Sequence, residues 1–295
     1  MKNRETKRKM RLISFAVGCV LTLLAGAGVV HAEAAEAQTV SAKLVTGQEF
    51  HDQIVSLAPA AEIRAIEKAA SRGGVSGTVL SQEGEPSVTA WFENGTVYLY
   101  SDADKLKVNE DANHMFEGLS SLVSLDASVF DTSGTTAMHR MFAGCSSLTG
   151  LDLSSFDTSS VTNMSMMFAD CSALSSLDVS KFDTSSVTAI YGMFNGCKSL
   201  TDLNLISFNT ANVTDMNWMF HDCSTLTSLD LSSFDTSHVA SMKNMFSGCT
   251  NLSSLNLTSF DATNVEASDQ MFAGCDSLNA IKFKDIKIFM AFTNK

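Results

Sequence analysis

Proline is almost absent from this chain, with two residues in 295. This scarcity argues against a Pro-rich disordered protein, and the 45% hydrophobic content is enough to bury a sizeable core. Catalytic signatures are also absent, since there is no Gly-rich phosphate loop, no nucleophile elbow and no histidine pair at metal-binding spacing. We therefore expect no enzyme and no cofactor, with a secreted hydrolase as the weaker alternative.

Basic residues are scarce after the first 32 positions. Residues 1–32 hold six of the 20 basic residues and one of the 32 acidic residues. The rest of the chain has 14 basic and 31 acidic residues, which gives a formal charge of −17. Because such a surface repels phosphate backbones, we expect no nucleic-acid partner.

Long apolar runs are confined to the N-terminus. Six basic residues precede an apolar stretch at 12–30, and a small-residue cleavage site follows at Ala32, with Ala34 as an alternative. We interpret 1–32 as a signal peptide and expect a secreted or cell-surface protein with no membrane span after cleavage. An uncleaved membrane anchor or lipidation of Cys19 are the weaker alternatives.

The pair Met-Phe recurs every 26 residues, without insertion or deletion. The seven pairs are at 115–116, 141–142, 167–168, 193–194, 219–220, 245–246 and 271–272. A fixed period of this length predicts a solenoid, in which each unit buries its apolar face against its neighbours.

One unit contains two periodicities. Leu151 and Leu153 alternate around Asp152 as in a strand, whereas Val161 and Met164 begin a spacing of three or four that is typical of a helical turn. We therefore predict an α/β fold, a right-handed leucine-rich-repeat-like solenoid of seven 26-residue strand–turn–helix coils whose strands line the concave face.

Two apolar columns should form the interior of such a stack, with about 4.8 Å between neighbouring coils. The first column is Phe130, Phe156, Phe182, Phe208, Phe234 and Phe260. The second column is Leu122, Leu148, Leu174, Leu200, Leu226, Leu252 and Leu278.

Two polar columns also recur, and they contain Asp or Asn. They are 126, 152, 178, 204, 230 and 256, and 131, 157, 183, 209, 235 and 261. We favour structural roles, as acceptors of backbone N–H groups and as a solvated strand face. Calcium between coils is the alternative, because oxygen ligands suit that ion.

Six cysteines occupy one repeat position, at 145, 171, 197, 223, 249 and 275, and Leu119 takes that position in the first copy. We favour buried thiols that act as small hydrophobes. Disulfides between neighbouring coils and a metal site are weaker alternatives, because equivalent side chains point the same way and zinc ligands usually lie two to four residues apart.

Before the repeats, residues 33–48 are predicted to be an Ala-rich leader and 49–114 an α/β cap for the first coil. The cap should contain helical segments between Glu49 and Ala70, kinked at Pro59, followed by a hairpin around the turn at Asn94-Gly95. A separate small domain is the alternative to a cap. The repeats then span 115–283, and 284–295 is a tail, a capping strand or a truncated cap.

These motifs resemble a known family. The run Phe-x-x-Cys-x-x-Leu-x-x-Leu-Asp-Leu-Ser-x-Phe-Asp-Thr-Ser-x-Val-x-x-Met is similar to the BspA-like leucine-rich repeats, the DUF285 group, over residues 115–283. The segment at 91–105 resembles the lead-in of such proteins. The resemblance implies a secreted or wall-associated bacterial protein that adheres to host or neighbouring-cell proteins. A structural spacer of the wall or matrix is the alternative.

Variation between copies marks two candidate partner-binding surfaces on a protein that we expect to be monomeric. The two positions before Met-Phe vary freely, and among them are the candidate residues His139, Arg140, Tyr191, Trp218 and Lys243. Tyr, Trp and Arg often anchor interfaces. The second surface lies on the predicted strands, at Asp152, Asp178, Asp202 and Asp230. Drift on an unused surface is the alternative.

Overall fold

The computed structural model describes residues 40–293 as a mixed α/β protein with few helices and small sheets. The predicted signal peptide, 1–32, lies outside the described residues, and so does the leader as far as residue 39. Within the described part of the chain, no helix is long and apolar enough to cross a bilayer.

The N-terminal block contains helix α1 (Gly47–Leu57) and two sheets. A capping box starts α1, because the Thr46 hydroxyl accepts from the Glu49 N–H and the Glu49 carboxylate accepts from the Thr46 N–H. The strands are β1 (Ser41–Lys43), β2 (Ala65–Lys68), β3 (Thr78–Val79), β4 (Thr89–Glu93), β5 (Thr96–Tyr100), β6 (Lys105–Lys107), β7 (Ser124–Leu125) and β8 (Phe130–Asp131). One sheet has the order β3-β4-β5-β2-β7, and the other has the order β1-β6-β8.

The hairpin prediction is confirmed. Strands β4 and β5 pair antiparallel with Glu93 opposite Thr96, so the connecting turn has two residues. Asn94 and Gly95 both have positive φ, at 51° and 89°, as a type I′ turn requires. Strands β7 and β8 lie within the first repeat, and each pairs with a strand of the N-terminal block. The block is therefore continuous with the repeats through shared sheets.

Two N-terminal predictions are wrong. The predicted leader ends too late, because Ser41–Lys43 is a strand parallel to β6 and both Ala42 and Leu44 are fully buried. The second helical segment is a strand as well, because Ala65–Lys68 pairs with strands on both of its sides. Tertiary pairing overrides the weak helical spacing of Ile63 and Ile66.

Neighbouring repeat copies are joined by backbone hydrogen bonds across the Met-Phe segment. In the first copy, the N–H groups of alternate residues donate to the second copy, at distances of 2.7–3.0 Å. These donors are Ala112, His114, Phe116 and Gly118, and their acceptors are the carbonyls of Ala137, His139, Met141 and Ala143. The residues between them close turns, as when the Glu117 N–H donates to the His114 carbonyl. The pattern recurs along the repeats.

The predicted helical part of each coil is therefore wrong. Residues 115–283 are all described, and they contain no α-helix, only overlapping turns and one 3₁₀ segment at Ala127–Val129. Two residues in each Met-Phe segment have positive φ, for example Arg140 at 55° and Gly144 at 75°. Left-handed residues interrupt an α-helix, and N–H groups bonded to the next copy cannot bond within their own turn.

The predicted strands occur in only some of the copies. Strands β9 (Ser228–Asp230), β10 (Ser254–Leu257) and β11 (Ala280–Phe283) form a parallel sheet in which equivalent residues of successive copies are paired. Strand β7 occupies the same position in the first copy. The equivalent residues of the three middle copies, starting at Gly150, Ser176 and Asp202, do not form strands.

The predicted apolar columns are confirmed as core. Every member of the Phe and Leu columns is at most 4% exposed. The Phe side chains of the Met-Phe pairs form a third column, with stacked rings whose centroids lie 5.3–5.9 Å apart. This spacing is wider than the expected 4.8 Å. Edge-on rings close both ends of this column, Phe50 against Phe116 and Phe292 against Phe272.

A column of buried threonines links successive copies, and it was not predicted from the sequence. The hydroxyl of Thr184 donates to the Asn209 carbonyl at 3.0 Å and accepts from the Asn209 N–H at 2.7 Å. The same pair of bonds is made by Thr132, Thr158 and Thr236 with the aspartates 25 residues later. One hydroxyl thus satisfies two backbone groups of the next copy.

Both Asp/Asn columns close local turns. At each position the side-chain oxygen accepts the N–H two residues later, as when Asp152 accepts from Ser154 and Asp157 from Ser159. Hydrogen bonds from these serines lower the pKa of both carboxyl groups. Each Asp or Asn side chain thus has a hydrogen-bond donor within its own turn, as the structural interpretation of the columns predicts.

The six cysteines of the described region are buried, and none of them forms a disulfide. Each thiol lies 3.0–3.2 Å from the carbonyl of the Phe 29 residues earlier, for example Cys197 Sγ to Phe168 O. The thiols are therefore weak donors to the previous copy as well as small hydrophobes. Burial raises the pKa of the Cys171 thiol to about 12.

The C-terminal tail is helix α2 (Ile286–Thr293), which corrects the expectation of a capping strand. Asp285, just before α2, accepts from the Ala262 N–H at 3.0 Å, and Lys287 Nζ donates to the Ala262 carbonyl at 2.9 Å. The start of α2 is thus attached to the backbone of the last repeat copy through these two side chains.

We predict that Thr184→Val lowers the free energy of unfolding by about 2 kcal/mol, because it leaves two partly buried backbone groups of Asn209 without the hydroxyl that bonds them. Urea unfolding followed by circular dichroism measures the change. Thr188→Val is the matched control, since Thr188 is exposed and its hydroxyl only donates to the Thr162 carbonyl. The control should change the free energy by less than about 0.5 kcal/mol. Equal losses in the two variants would contradict the role of the column.

We also predict that the six buried thiols do not react with Ellman's reagent in the native protein, because only the thiolate is reactive and burial disfavours it. All six should react once guanidinium chloride unfolds the chain. The progress of the colour reaction, with and without denaturant, measures this. Rapid native reaction of several thiols would show that the column is open to solvent.

Candidate partner-binding surface

The first candidate surface follows the two positions before each Met-Phe pair. Arg140, Tyr191 and His139 are half-buried, whereas Trp218 is 40% exposed and the Lys243 side chain is 47% exposed. The structure brings the middle members of the column together. The rings of Tyr191 and Trp218 lie 6.1 Å apart with a tilt of 52° between their planes.

Met166 connects the aromatic pair to Arg140. The Tyr191 hydroxyl and Arg140 Nη1 each lie 3.2 Å from the Met166 sulfur. Arg140, Met166, Tyr191 and Trp218 therefore form a continuous strip across four copies, which we call the aromatic strip. Sequence reasoning did not include Met166 among the candidate residues, although its position in the variable column was visible.

The backbone of this strip is unusual. The residue directly before Met-Phe has a φ between 53° and 63° in every copy. The seven residues are His114, Arg140, Met166, Gly192, Trp218, Asn244 and Gln270. Gly and Asn tolerate this left-handed region, whereas other residues lose roughly 1–2 kcal/mol there. Arg140, Met166 and Trp218 thus keep large side chains at positions where a small residue would be more stable.

A charged cluster flanks the strip at the first two copies. Arg140 Nε donates to Glu117 Oε1 at 2.6 Å, and the His114 ring is hydrogen-bonded to the other carboxylate oxygen of Glu117. The rings of His114 and His139 meet edge to face, with centroids 5.4 Å apart. Sequence reasoning selected His139 and Arg140 but missed His114 and Glu117, because their contacts with His139 and Arg140 span 25 and 23 residues.

The pKa values of three groups in or beside this cluster are lowered, namely those of His51, His139 and Glu117. Burial is the main reason that the pKa values of His51 and His139 are lowered, and the neighbouring His114 adds to the effect for both. Burial alone would raise the pKa of Glu117, but hydrogen bonds from His114 and Arg140 outweigh it and leave that pKa lowered. Nδ1 of His51 and Nδ1 of His139 are buried without a hydrogen-bond partner in the described part of the chain.

The second candidate surface is acidic. Asp152, Asp178, Asp202 and Asp230 are all exposed. The first three line one shallow depression of about 480 Å³, and Asp202 and Asp230 line the next one. Because the carboxylates of Asp152, Asp178 and Asp230 each accept a local N–H, their orientation is fixed by their own turns. Within residues 40–293, no three His, Cys, Asp or Glu side chains are grouped so that they could hold a metal ion.

Comparison with known families gives one match, to the family described as Mycoplasma protein of unknown function, DUF285. It covers residues 110–204 and 176–286, which together span more than half of the chain. The chain belongs to the DUF285 family. The matched region contains all the members of both candidate surfaces. The comparison with curated proteins gave no match, and neither did the comparison with solved structures.

We predict that the protein loses stability as the pH falls from about 7 to 5, because His51 and His139 have lowered pKa values in the folded state. The unfolded chain binds protons at about pH 6.5, before the folded chain does, so acid favours unfolding. The stability is complete above the unfolded pKa and decreases as the pH falls below it.

Thermal melts at pH 7 and pH 5 measure this change. His139→Gln should reduce the difference in Tm between the two pH values. His238→Gln is the control, because His238 is exposed on another part of the repeat. If the Tm of His139→Gln depends on pH as the Tm of the original chain does, then His139 does not contribute to the loss of stability in acid.

Proposed function

We propose that residues 115–283 form a leucine-rich-repeat-like solenoid of seven coils, of the BspA-like kind, and that the protein is a non-enzymatic protein-binding molecule of the cell surface or secreted space. Support for the architecture comes from the bonds that join each copy to the next and from the continuous apolar columns. Support for export comes from the basic and apolar pattern of residues 1–32.

The observation that carries the binding proposal is the conformation of the aromatic strip. Three large side chains stand at left-handed positions where neighbouring copies have Gly192 or Asn244. The left-handed backbone at each of these residues lowers the stability of the fold relative to Gly or Asn at the same position. None of them belongs to the buried core, so the side chains contribute mainly to the surface. Strained residues that are exposed and aromatic or cationic are typical of binding surfaces.

The chemistry of the strip suggests its class of partner. Tyr191 and Trp218 offer flat apolar area with a hydroxyl and an indole N–H. Arg140 and Lys243 lie at the two sides, and each is paired with a carboxylate of this chain, Arg140 with Glu117 and Lys243 with Asp269. We therefore propose that the strip binds a protein segment through apolar side chains, on a host or a neighbouring bacterial cell.

We predict that Trp218→Asn weakens binding to the partner protein at least about tenfold while the thermal stability stays the same or rises slightly. Removing an interface Trp commonly has an effect of this size, and Asn suits the left-handed backbone better than Trp does. Tyr191→Ala should also weaken binding. Surface plasmon resonance of the full chain over immobilised host matrix and bacterial surface proteins measures affinity, and calorimetry measures Tm.

Val123→Ala is the matched control, because Val123 is a 52% exposed apolar side chain outside both candidate surfaces. It should bind as the original chain does. If no immobilised protein binds saturably, or if Trp218→Asn and Val123→Ala bind equally well, then the adhesin proposal fails. The chain would then be better described as a structural spacer of the wall or matrix.

A further inference from the structure

The last repeat copy differs from the others at one core position. Three positions before the Met-Phe pair, the first six copies have a buried apolar residue, namely Ala112, Met138, Met164, Ile190, Met216 and Met242. The seventh copy has Ser268, which is half-exposed. A large side chain is therefore missing next to the C-terminal helix.

A groove of about 600 Å³ occupies this place, between the last copy and α2. Its walls include Val265, Ile286, Met290 and Ala291, and Ser268 and Gln270 line it from the last copy. The volume lies in the range of ligand-binding clefts. Ile286 and Met290 are 69% and 51% exposed, so apolar surface is left open along the helix.

The groove also contains backbone donors without acceptors. In the sixth copy, the Met242 N–H donates to the Ala267 carbonyl at 2.8 Å, and the Asn244 N–H donates to the Asp269 carbonyl at 3.0 Å. The equivalent donors of the last copy are the N–H groups of Ser268 and Gln270. Neither of them has an acceptor among residues 40–293. Two donors, two residues apart, are thus available beside an apolar wall.

Helix α2 covers only part of the surface that the next copy covers in each of the preceding repeats. Phe292 covers Phe272 edge-on at 5.8 Å, and Lys287 and the nearby Asp285 satisfy the backbone of Ala262. No group of the helix reaches the N–H groups of Ser268 and Gln270. The N–H groups of Phe272 and Gly274 also have no acceptor among residues 40–293, but of these four donors only those of Ser268 and Gln270 belong to residues that line the groove.

Self-association does not supply the missing acceptors. The opposite end of the stack is closed, because Phe50 covers Phe116 and the Gly47 N–H donates to the Asp111 carbonyl at 2.7 Å. Two C-terminal ends placed against each other would set N–H donors against N–H donors. The acceptor must come from a chain that presents free carbonyls in an extended segment.

We propose that the groove between the last repeat and α2 binds an extended polypeptide segment of a partner protein in trans. The segment places two main-chain carbonyls, two residues apart, on the N–H groups of Ser268 and Gln270. Its apolar side chain, of the size of Met or Leu, fills the space that Ser268 leaves. This site is separate from the aromatic strip and does not depend on it.

The first test uses a fluorescein-labelled synthetic peptide with the sequence of residues 238–248. In the native stack this segment presents the Ser241 and Lys243 carbonyls to the preceding copy, and it carries Met242. We expect saturable binding to the full chain by fluorescence anisotropy, and no binding of a scrambled peptide. Hydrogen exchange should slow at Ser268 and Gln270 when the peptide is bound.

The second test fills the groove. Ser268→Met introduces the residue that four of the other copies have there, so it should raise the Tm by about 2–4 °C and weaken peptide binding at least about tenfold. Ser268→Ala keeps both the space and the N–H, so it should bind within about twofold of the original chain.

Three results would overturn the proposal. They are the absence of saturable peptide binding, equal binding by Ser268→Met, and binding without slower exchange at Ser268 and Gln270. The exchange measurement uses the original chain, so it remains decisive if a variant does not fold. Trp218→Asn should leave peptide binding unchanged, which separates failure of this site from failure of the aromatic strip.

Discussion

The backbone hydrogen bonds between repeat copies are the interaction on which the rest of the structure depends. Alternate N–H groups of each Met-Phe segment donate to the next copy, and this requires left-handed residues at fixed positions. Those residues set the turn, the turn directs the Met, Phe and Cys side chains inward, and the variable side chains are left outside. The constant interval of 26 residues follows, because an insertion in one copy would break bonds on both of its sides.

Much of the core could be predicted from the sequence. The interval between Met-Phe pairs located the buried Phe and Leu columns, and Asn94-Gly95 located the hairpin. The predicted helical turn was wrong for a physical reason. Apolar residues three or four apart also arise from overlapping turns, and only the destination of each N–H group distinguishes the two structures. The strand at Ala65–Lys68 depended in the same way on partners that are distant in sequence.

The candidate surface could be predicted only in outline. Variation before Met-Phe identified Arg140, Tyr191 and Trp218, but it could not reveal that Met166 joins them. Glu117 and His114 were missed because their contacts with Arg140 and His139 cross between copies. The groove beside α2 could not be foreseen, since a helix was not among the structures expected for the tail. Its one visible signal was the change from Met to Ser at position 268.

The near-identity of the interior copies has a consequence for how the chain finds its structure. Any interior copy offers almost the same bonds and the same apolar columns to every other one, so contacts that skip a copy are nearly degenerate with the correct ones. The edge-on rings of Phe50 and Phe292 lie at the two termini of the stacked rings. They therefore give the chain a defined first and last copy, from which the correct count can be established.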